Sequence, residues 1–359
     1  MREVLEALDR ESAFQTLGRF DLLPGDHLPY RELGARDVDG ELRRSIETGE
    51  GVITVIGRMG SGKSSLIAAV ANSLDEGFVP LRVSVIGVEA GSPAAFARHA
   101  ITEIRDSPEA QLTRHETLAL DRAAAEHRTK TSSRELRAGF EIGGGGVLTA
   151  KVAGDIKRAA GDELNGAVAP GTVVRGVERL FGVFWKLKRC PVVIIEDTDH
   201  WGGSPEIADA FFDQTSRAFG TMDAVTVVAT QTDYTNLDGY LRIRDKLACE
   251  VVLPQFPNME QGLIRVMTGR MASAGVTVGV DQILEPGGIQ LLVHTYAESV
   301  SDGRAGDLRR TLAVMRAALE AALSEPTAQV VVEGHVQEAL ARTPLAPSSA
   351  LGNREAEPV

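Results

Sequence analysis

Gly57-Arg58-Met59-Gly60-Ser61-Gly62-Lys63-Ser64 puts a lysine and a hydroxyl directly behind a glycine-rich run. Every fixed position of G-x-x-x-x-G-K-[ST] is filled, by Gly57, Gly62, Lys63 and Ser64. Glycines at this density let the backbone curl until several N–H groups converge on one anion. A helix starting at the end of the loop adds the partial positive charge of its first turn. The Lys63 ammonium would neutralise the outer phosphates of a nucleoside triphosphate, and the Ser64 hydroxyl would complete a magnesium shell. Residues 57–65, ending on Ser65, are therefore the expected binding segment for ATP and Mg2+.

A second stretch, PVVIIEDTDHW at 191–201, runs four β-branched residues into Glu196, Asp197, Asp199 and His200. Hydrolysis beside a phosphate loop needs acids at the end of a neighbouring strand. One carboxylate holds magnesium, usually through water, and the next orients or deprotonates the attacking water. Glu196 on the metal and Asp197 on the water is the favoured assignment; Asp197 on the metal with Asp199 behind it is the alternative. Asp199 and His200 alone make a poor transition-metal site, because no Cys/His cluster of ligand spacing accompanies them. His200 and Trp201 are expected to begin a loop that packs on the sheet edge.

The elements that must position these groups read as alternating runs. GVITVIG (51–57), LRVSVIG (81–87), PVVIIED (191–197), AVTVVAT (224–230) and EVVLPQF (250–256) have strand length and β-branched composition. Amphipathic stretches such as SSLIAAVANSL and GVERLFGVFWKL lie between them. Continuous apolar strands alternating with helices imply an α/β domain around a five-stranded, mainly parallel sheet. From Met259 onward only helical patterns follow, so an α/β domain over 28–256 is expected to precede a small all-helical domain over 257–343. Residues 1–27 form a helical and extended lead-in, and 344–359, rich in Pro, Ser and Ala, form a flexible tail. A charge-mixed helical stretch and a hairpin around Gly143–Gly146 are expected as an insertion at about 106–160. No Lys-Ser/Thr follows those glycines, so they are not a second phosphate loop.

Composition narrows the class further. A net charge of −12 argues against a generally basic nucleic-acid coat protein while leaving room for a local basic surface. Two cysteines, Cys190 and Cys249, are too few for a disulfide framework and read as reduced core residues. No window approaches eighteen consecutive apolar residues and the charged N-terminus lacks a signal-peptide core, so no membrane association and a cytoplasmic location are expected.

With these motifs in place, the chain from about 20 to 343 resembles the AAA+ ATPases of the initiator or origin-recognition type. LLPGDHLPYREL resembles the segment that leads into that fold and packs near adenine. ATQTDYTNLDGYLRIRDKLACEVVLPQFPNMEQGLIRVMTGRM resembles its fourth strand, arginine-finger helix, fifth strand and lead into the lid. GDLRRTLAVMRAALEAA resembles the lid helix that carries the second sensor. The resemblance implies that Thr232 stands at the first sensor, usually Asn, where a hydroxyl still hydrogen-bonds a phosphate or the attacking water. It implies that Arg309 is the second sensor and that Arg242 or Arg244 is an arginine finger supplied to the next subunit. It also implies a homo-oligomer. Initiators carry a winged-helix DNA-binding domain after the lid, whereas a short tail follows here.

Two readings of the partner remain at this level. In one, an oligomeric ATPase remodels or loads a client on DNA, with Arg128, Lys130, Arg134, Arg137, Lys151, Lys157 and Arg158 of the insertion near phosphates. Interleaved Glu126, Glu135, Glu141 and Asp155 make a solvated mixed-charge face the competing interpretation. In the other, the chain is a slowly hydrolysing, nucleotide-gated switch that binds proteins, as in STAND or KAP-type signalling ATPases, which VVIIEDTDHW also resembles.

Overall fold

A computed structural model describes residues 1–14, 27–49, 51–86, 96, 99–100, 103–104, 113–114, 118, 181–182, 184–186, 188–196, 198, 204–215, 224–298, 300 and 306–343. The Gly143–Gly146 hairpin, nearly all of the 106–160 insertion, Asp197, Asp199, His200, Trp201 and the 344–359 tail lie outside these residues.

Within them, β1 (Val52–Ile56), β2 (Phe78–Ser84), β3 (Cys190–Glu196), β4 (Val225–Thr230) and β5 (Leu247–Val252) form one sheet in the order β2-β3-β4-β1-β5. All four neighbouring pairs are parallel. The three inner strands are buried at every position, as strands covered on both faces must be. Edge strand β2 instead alternates buried and half-buried residues and tolerates Pro80, whose missing N–H costs least at an edge. Both edge strands start earlier than their apolar runs, at Phe78 rather than 81 and at Leu247 rather than 250. A strand paired on one side needs no continuous apolar stretch, so apolar runs misplace its ends.

Strand order corrects one expectation. The acidic strand β3 is not the neighbour of the phosphate-loop strand β1, because β4 lies between them. At a spacing of about 4.8 Å per strand, Glu196 at the end of β3 stands roughly 10 Å across the sheet from β1. The polar end of β4 fills that interval.

Helices cover both faces. α1 (Arg2–Arg10), α2 (Val38–Glu47) and α3 (Lys63–Asn72) lead and flank the phosphate loop. α4 (Pro205–Ala210) runs on into a π-helical turn, Phe211–Thr215. A 3-10 turn at Thr232–Asn236 precedes α5 (Asp238–Arg244). Ile53, Val55, Val192, Ile194 and Val227 share one core with residues of α2, α3 and the C-terminal helices, whereas Val193, Ile195 and Val228 share a second with Phe211, Phe212 and Tyr240. This alternation is the period-2 pattern of strands feeding two layers.

The helical lid comprises α6 (Met259–Ser273), α7 (Val280–Ile283), α8 (Pro286–Ala297), α9 (Leu308–Ser324) and α10 (Glu333–Arg342). Its junction with the sheet is aromatic. Phe256 stacks on Tyr296 of α8 with ring centroids 5.1 Å apart and meets Tyr30 at 6.5 Å. The N-terminal helix α1 packs on the lid, where Arg2 donates from Nη1 to Glu325 O at 2.7 Å and from Nη2 to Leu323 O at 2.9 Å. The bond to Leu323 O satisfies a carbonyl that the C-terminus of α9 would otherwise leave open, and Glu325 O also accepts from Ala328 N at 3.2 Å. No helix among the described residues is long and apolar enough to cross a membrane.

Candidate active site

The phosphate loop leaves β1 at Ile56 and enters α3 at Lys63. Gly60 and Gly62 adopt φ of +75° and +100°, a region that disfavours any residue with a Cβ. At Gly57 an added Cβ would come within 2.5 Å of Ser61 Oγ and 3.3 Å of Lys63 Cγ, so the loop closes tightly over its own lysine. Lys63 is buried, and its Nζ donates to Gly57 O at 2.9 Å and Arg58 O at 2.8 Å. The ammonium is thereby held beneath the loop from which phosphate-directed N–H groups would project. Ser61 Oγ is buried without a partner, Ser64 and Ser65 are half-buried in the first turn of α3, and Arg58 and Met59 line the outer side half-exposed.

The lead-in segment presses on the same loop. Tyr30 Oη donates to Ser61 O at 3.3 Å, and His27 Nδ1 lies 3.3 Å from Ser65 Oγ. Asp39 of α2 fixes both residues, accepting from His27 Nε2 at 2.6 Å and from Tyr30 N at 2.8 Å. Burial, reinforced by the charges of Tyr296 and Asp39, pushes the Tyr30 hydroxyl well above its usual range, so it remains a donor.

Opposite the loop, β4 ends in three polar residues. Ile56 pairs with Thr230, and Gly57 N donates to Thr230 O at 3.2 Å, so Gln231 and Thr232 emerge beside the start of the loop. Gln231 is only 6% exposed. Its Nε2 and the Thr232 Oγ1 are buried and have no hydrogen-bond partner among the described residues. Buried polar groups are nearly always paired, so these two atoms beside the phosphate loop are candidates to hydrogen-bond a phosphate or water held there. Thr232 was the residue legible in advance; Gln231 was not. Its signal was position: it is the first residue after the apolar run of the strand that the sheet places next to β1.

On the acid side, Glu196 ends β3 and is 2% exposed. Thr198 Oγ1 donates to Ala229 O at 2.5 Å, tying the turn after Glu196 to β4. Its companion Asp197 falls outside the described residues.

The lid reaches the loop through backbone. Arg309 N donates to Gly60 O at 3.1 Å, and Asp307 caps α9 by accepting from Arg310 N at 2.9 Å. A Cβ on Gly60 would overlap the Asp307 carboxylate and lie 3.1 Å from Arg309 Cβ. Burial raises the Asp307 carboxyl above its ordinary value, opposed by the Arg310 N–H and by the charges of Arg309 and Arg310. The Arg309 side chain itself is exposed. Arg242 and Arg244 are also exposed, in the last turn of α5; each meets an acid of the same chain, Asp213 and Glu250 respectively, at 3.0 Å.

Sheet order, loop and lid together match known structures. Orc1 from Aeropyrum pernix, in complex with DNA, aligns over 92% of this chain and 69% of its own at a TM-score of 0.50 and 18% identity. Cdc6p from Pyrobaculum aerophilum aligns over 94% of this chain and 72% of its own at 0.50 and 13% identity. The fold is that of the initiator-type AAA+ ATPases. A chain of Drosophila ORC bound to DNA aligns at 0.45 and 16% identity, and there this chain spans 65% of the other's length. No sequence-family model matches the chain, and no curated protein matches it by sequence.

Proposed function

We propose that this chain binds ATP with Mg2+ between its α/β domain (28–256) and lid (257–343), hydrolyses it, and uses the cycle to remodel or load a client on DNA as a homo-oligomer in the cytoplasm. The observation behind the reading is that the loop carrying the buried Lys63 is bonded at Gly57 to the end of β4, where Gln231 Nε2 and Thr232 Oγ1 are buried with no hydrogen-bond partner among the described residues. A phosphate oxygen and an attacking water are groups that those two side chains could hydrogen-bond.

The donor set fits a hard cation: Ser64 with Glu196 or Asp197 offers oxygen ligands and no sulfur or imidazole. When bound, Mg2+ would neutralise charge between the β- and γ-phosphates. Lys63 would bind the same phosphates, Gln231 and Thr232 would orient the water, and Asp197 would take its proton. Arg309 would read the γ-phosphate from the lid, and an arginine of the neighbouring subunit, Arg242 or Arg244, would stabilise transition-state charge. That the Orc1 chain of like fold is in complex with DNA favours DNA as the client.

Binding of a fluorescent ATP analogue and release of phosphate are the tests. Lys63→Ala should abolish tight binding, and Asp197→Asn should keep binding while stopping turnover. Unchanged affinity in a folded Lys63→Ala protein would refute the site. Turnover that is slow and independent of protein concentration would favour the nucleotide-gated switch.

A further inference from the structure

The two candidate arginines differ in how they are held. Arg242 spends a terminal nitrogen, Nη1, on Asp213 of the π-helical turn at 3.0 Å. Arg244 instead donates from Nε to Glu250 Oε2 at 3.0 Å. An arginine anchored through Nε keeps both terminal amino groups pointing forward as a fork, the geometry that grips two phosphate oxygens at once.

Glu250 is itself anchored in the core. Its Oε1 accepts from Tyr240 Oη at 2.6 Å, and Tyr240 Oη lies 3.0 Å from Thr54 Oγ1. Because the tyrosine proton goes to the carboxylate, the Thr54 hydroxyl donates to the tyrosine oxygen. Tyr240 and Thr54 are fully buried, and Thr54 pairs directly with Glu250 across β1 and β5. Strand β1 becomes the phosphate loop at Gly57. A continuous set of bonds thus runs from the phosphate-loop strand through Tyr240 and Glu250 to a guanidinium whose side chain is 56% exposed. Asp213, which holds Arg242, is about as exposed as Glu250 (29% against 23%) but belongs to a short π-helical turn instead of the sheet.

We propose that Arg244, not Arg242, is the arginine offered to the neighbouring subunit's nucleotide, and that Glu250, backed by Tyr240 and Thr54, is the positioning residue that aims it. This inference rests on the ATPase reading above. A surface ion pair contributes little to folding, so the function of this arrangement lies in orientation. It also registers each subunit's arginine to its own phosphate-loop strand.

A mixing experiment isolates the effect. Acceptor protomers carry Arg242→Ala with Arg244→Ala, so they keep their own ATP site but offer no arginine. Donor protomers carry Lys63→Ala, so they hydrolyse nothing and any change in them reports only what they present to a neighbour. The parent donor should restore turnover to the acceptor. Adding Arg244→Ala to the donor should remove about 10³-fold or more of that turnover, at least tenfold more than adding Arg242→Ala. Adding Glu250→Ala should cost about 10- to 100-fold through misaiming. Glu250→Gln, whose amide oxygen still accepts from Nε, should recover most of it. Circular dichroism and thermal melting of each donor establish that the fold is intact, and Tyr240→Phe provides a second variant, with a smaller loss expected.

A Glu250→Ala donor as effective as its parent overturns the positioning role. A larger loss from Arg242→Ala than from Arg244→Ala overturns the choice of arginine. If wild type hydrolyses ATP but no donor rescues the acceptor, the arginine does not act between subunits and the inference falls while the ATPase reading stands. If wild type does not hydrolyse ATP at any concentration, the ATPase reading falls first and takes the inference with it.

Discussion

Gly60 occupies a position that the phosphate-loop motif leaves open, yet the structure forbids a side chain there. In Gly60→Ala the backbone at φ +75° would hold an L-residue in the left-handed region, a cost of roughly 1–2 kcal/mol. The new methyl would also overlap the Asp307 carboxylate, forcing the start of α9 away from the loop. That movement breaks the Arg309 N–H bond to Gly60 O, worth about 0.5–1.5 kcal/mol net. Together the substitution should destabilise the chain by about 2–3 kcal/mol. Asp307→Ala alone should cost about 1 kcal/mol through the lost helix cap. In the double variant the overlap is gone, so the combined loss should fall short of the sum by about 1 kcal/mol. Urea titration of the four proteins, without nucleotide, measures this coupling. Additivity within about 0.3–0.5 kcal/mol would refute direct support of the lid by the loop.

Three further outcomes follow from particular contacts. Because burial raises the Asp307 carboxyl above 3.8, the native state holds that proton more tightly than the unfolded chain. Its contribution is complete below 3.8 and lost as pH rises through the raised value, so wild type should gain stability relative to Asp307→Asn on acidification through that window; a pH-independent difference would contradict it. Gly262→Ala would place a methyl 2.6 Å from the Phe256 ring and should cost about 1–3 kcal/mol by overpacking the aromatic junction, read as a lowered denaturation midpoint. Arg2→Ala should remove the donor to Leu323 O and one of the two donors to Glu325 O at the end of α9 and speed hydrogen exchange in the last turn of that helix and in α1, while exchange in β1 and β4 stays unchanged.

The strand-turn-helix setting of the phosphate-loop motif was readable because the motif uses consecutive residues: Gly57 to Ser64 need only the turn between one strand and one helix. The inner strands were readable for a related reason, since burial on both faces demands an unbroken apolar run. Likewise the switch after Phe256 from β-branched runs to helical periodicity marks the start of the lid helices. Side-chain type and local period carry that information, and both survive in a string of letters.

Strand order does not survive there. A parallel pair is joined through a crossover that leaves no register mark on either strand, so nothing local announces that β4 stands between β1 and β3. That single fact moves Glu196 one strand away from the loop and brings Gln231 beside it, a residue whose amide reads as an ordinary loop polar group until its Nε2 is found buried and unpartnered. The return of α1 to the lid, more than three hundred positions from its Arg2 contacts at Leu323 and Glu325, is equally invisible, because those contacts are to backbone carbonyls that every residue possesses. Arg242 and Arg244 are the same letter two positions apart on one helix. Only the tertiary structure, by setting Asp213 against one terminal nitrogen and Glu250 against the other's Nε, makes them chemically different.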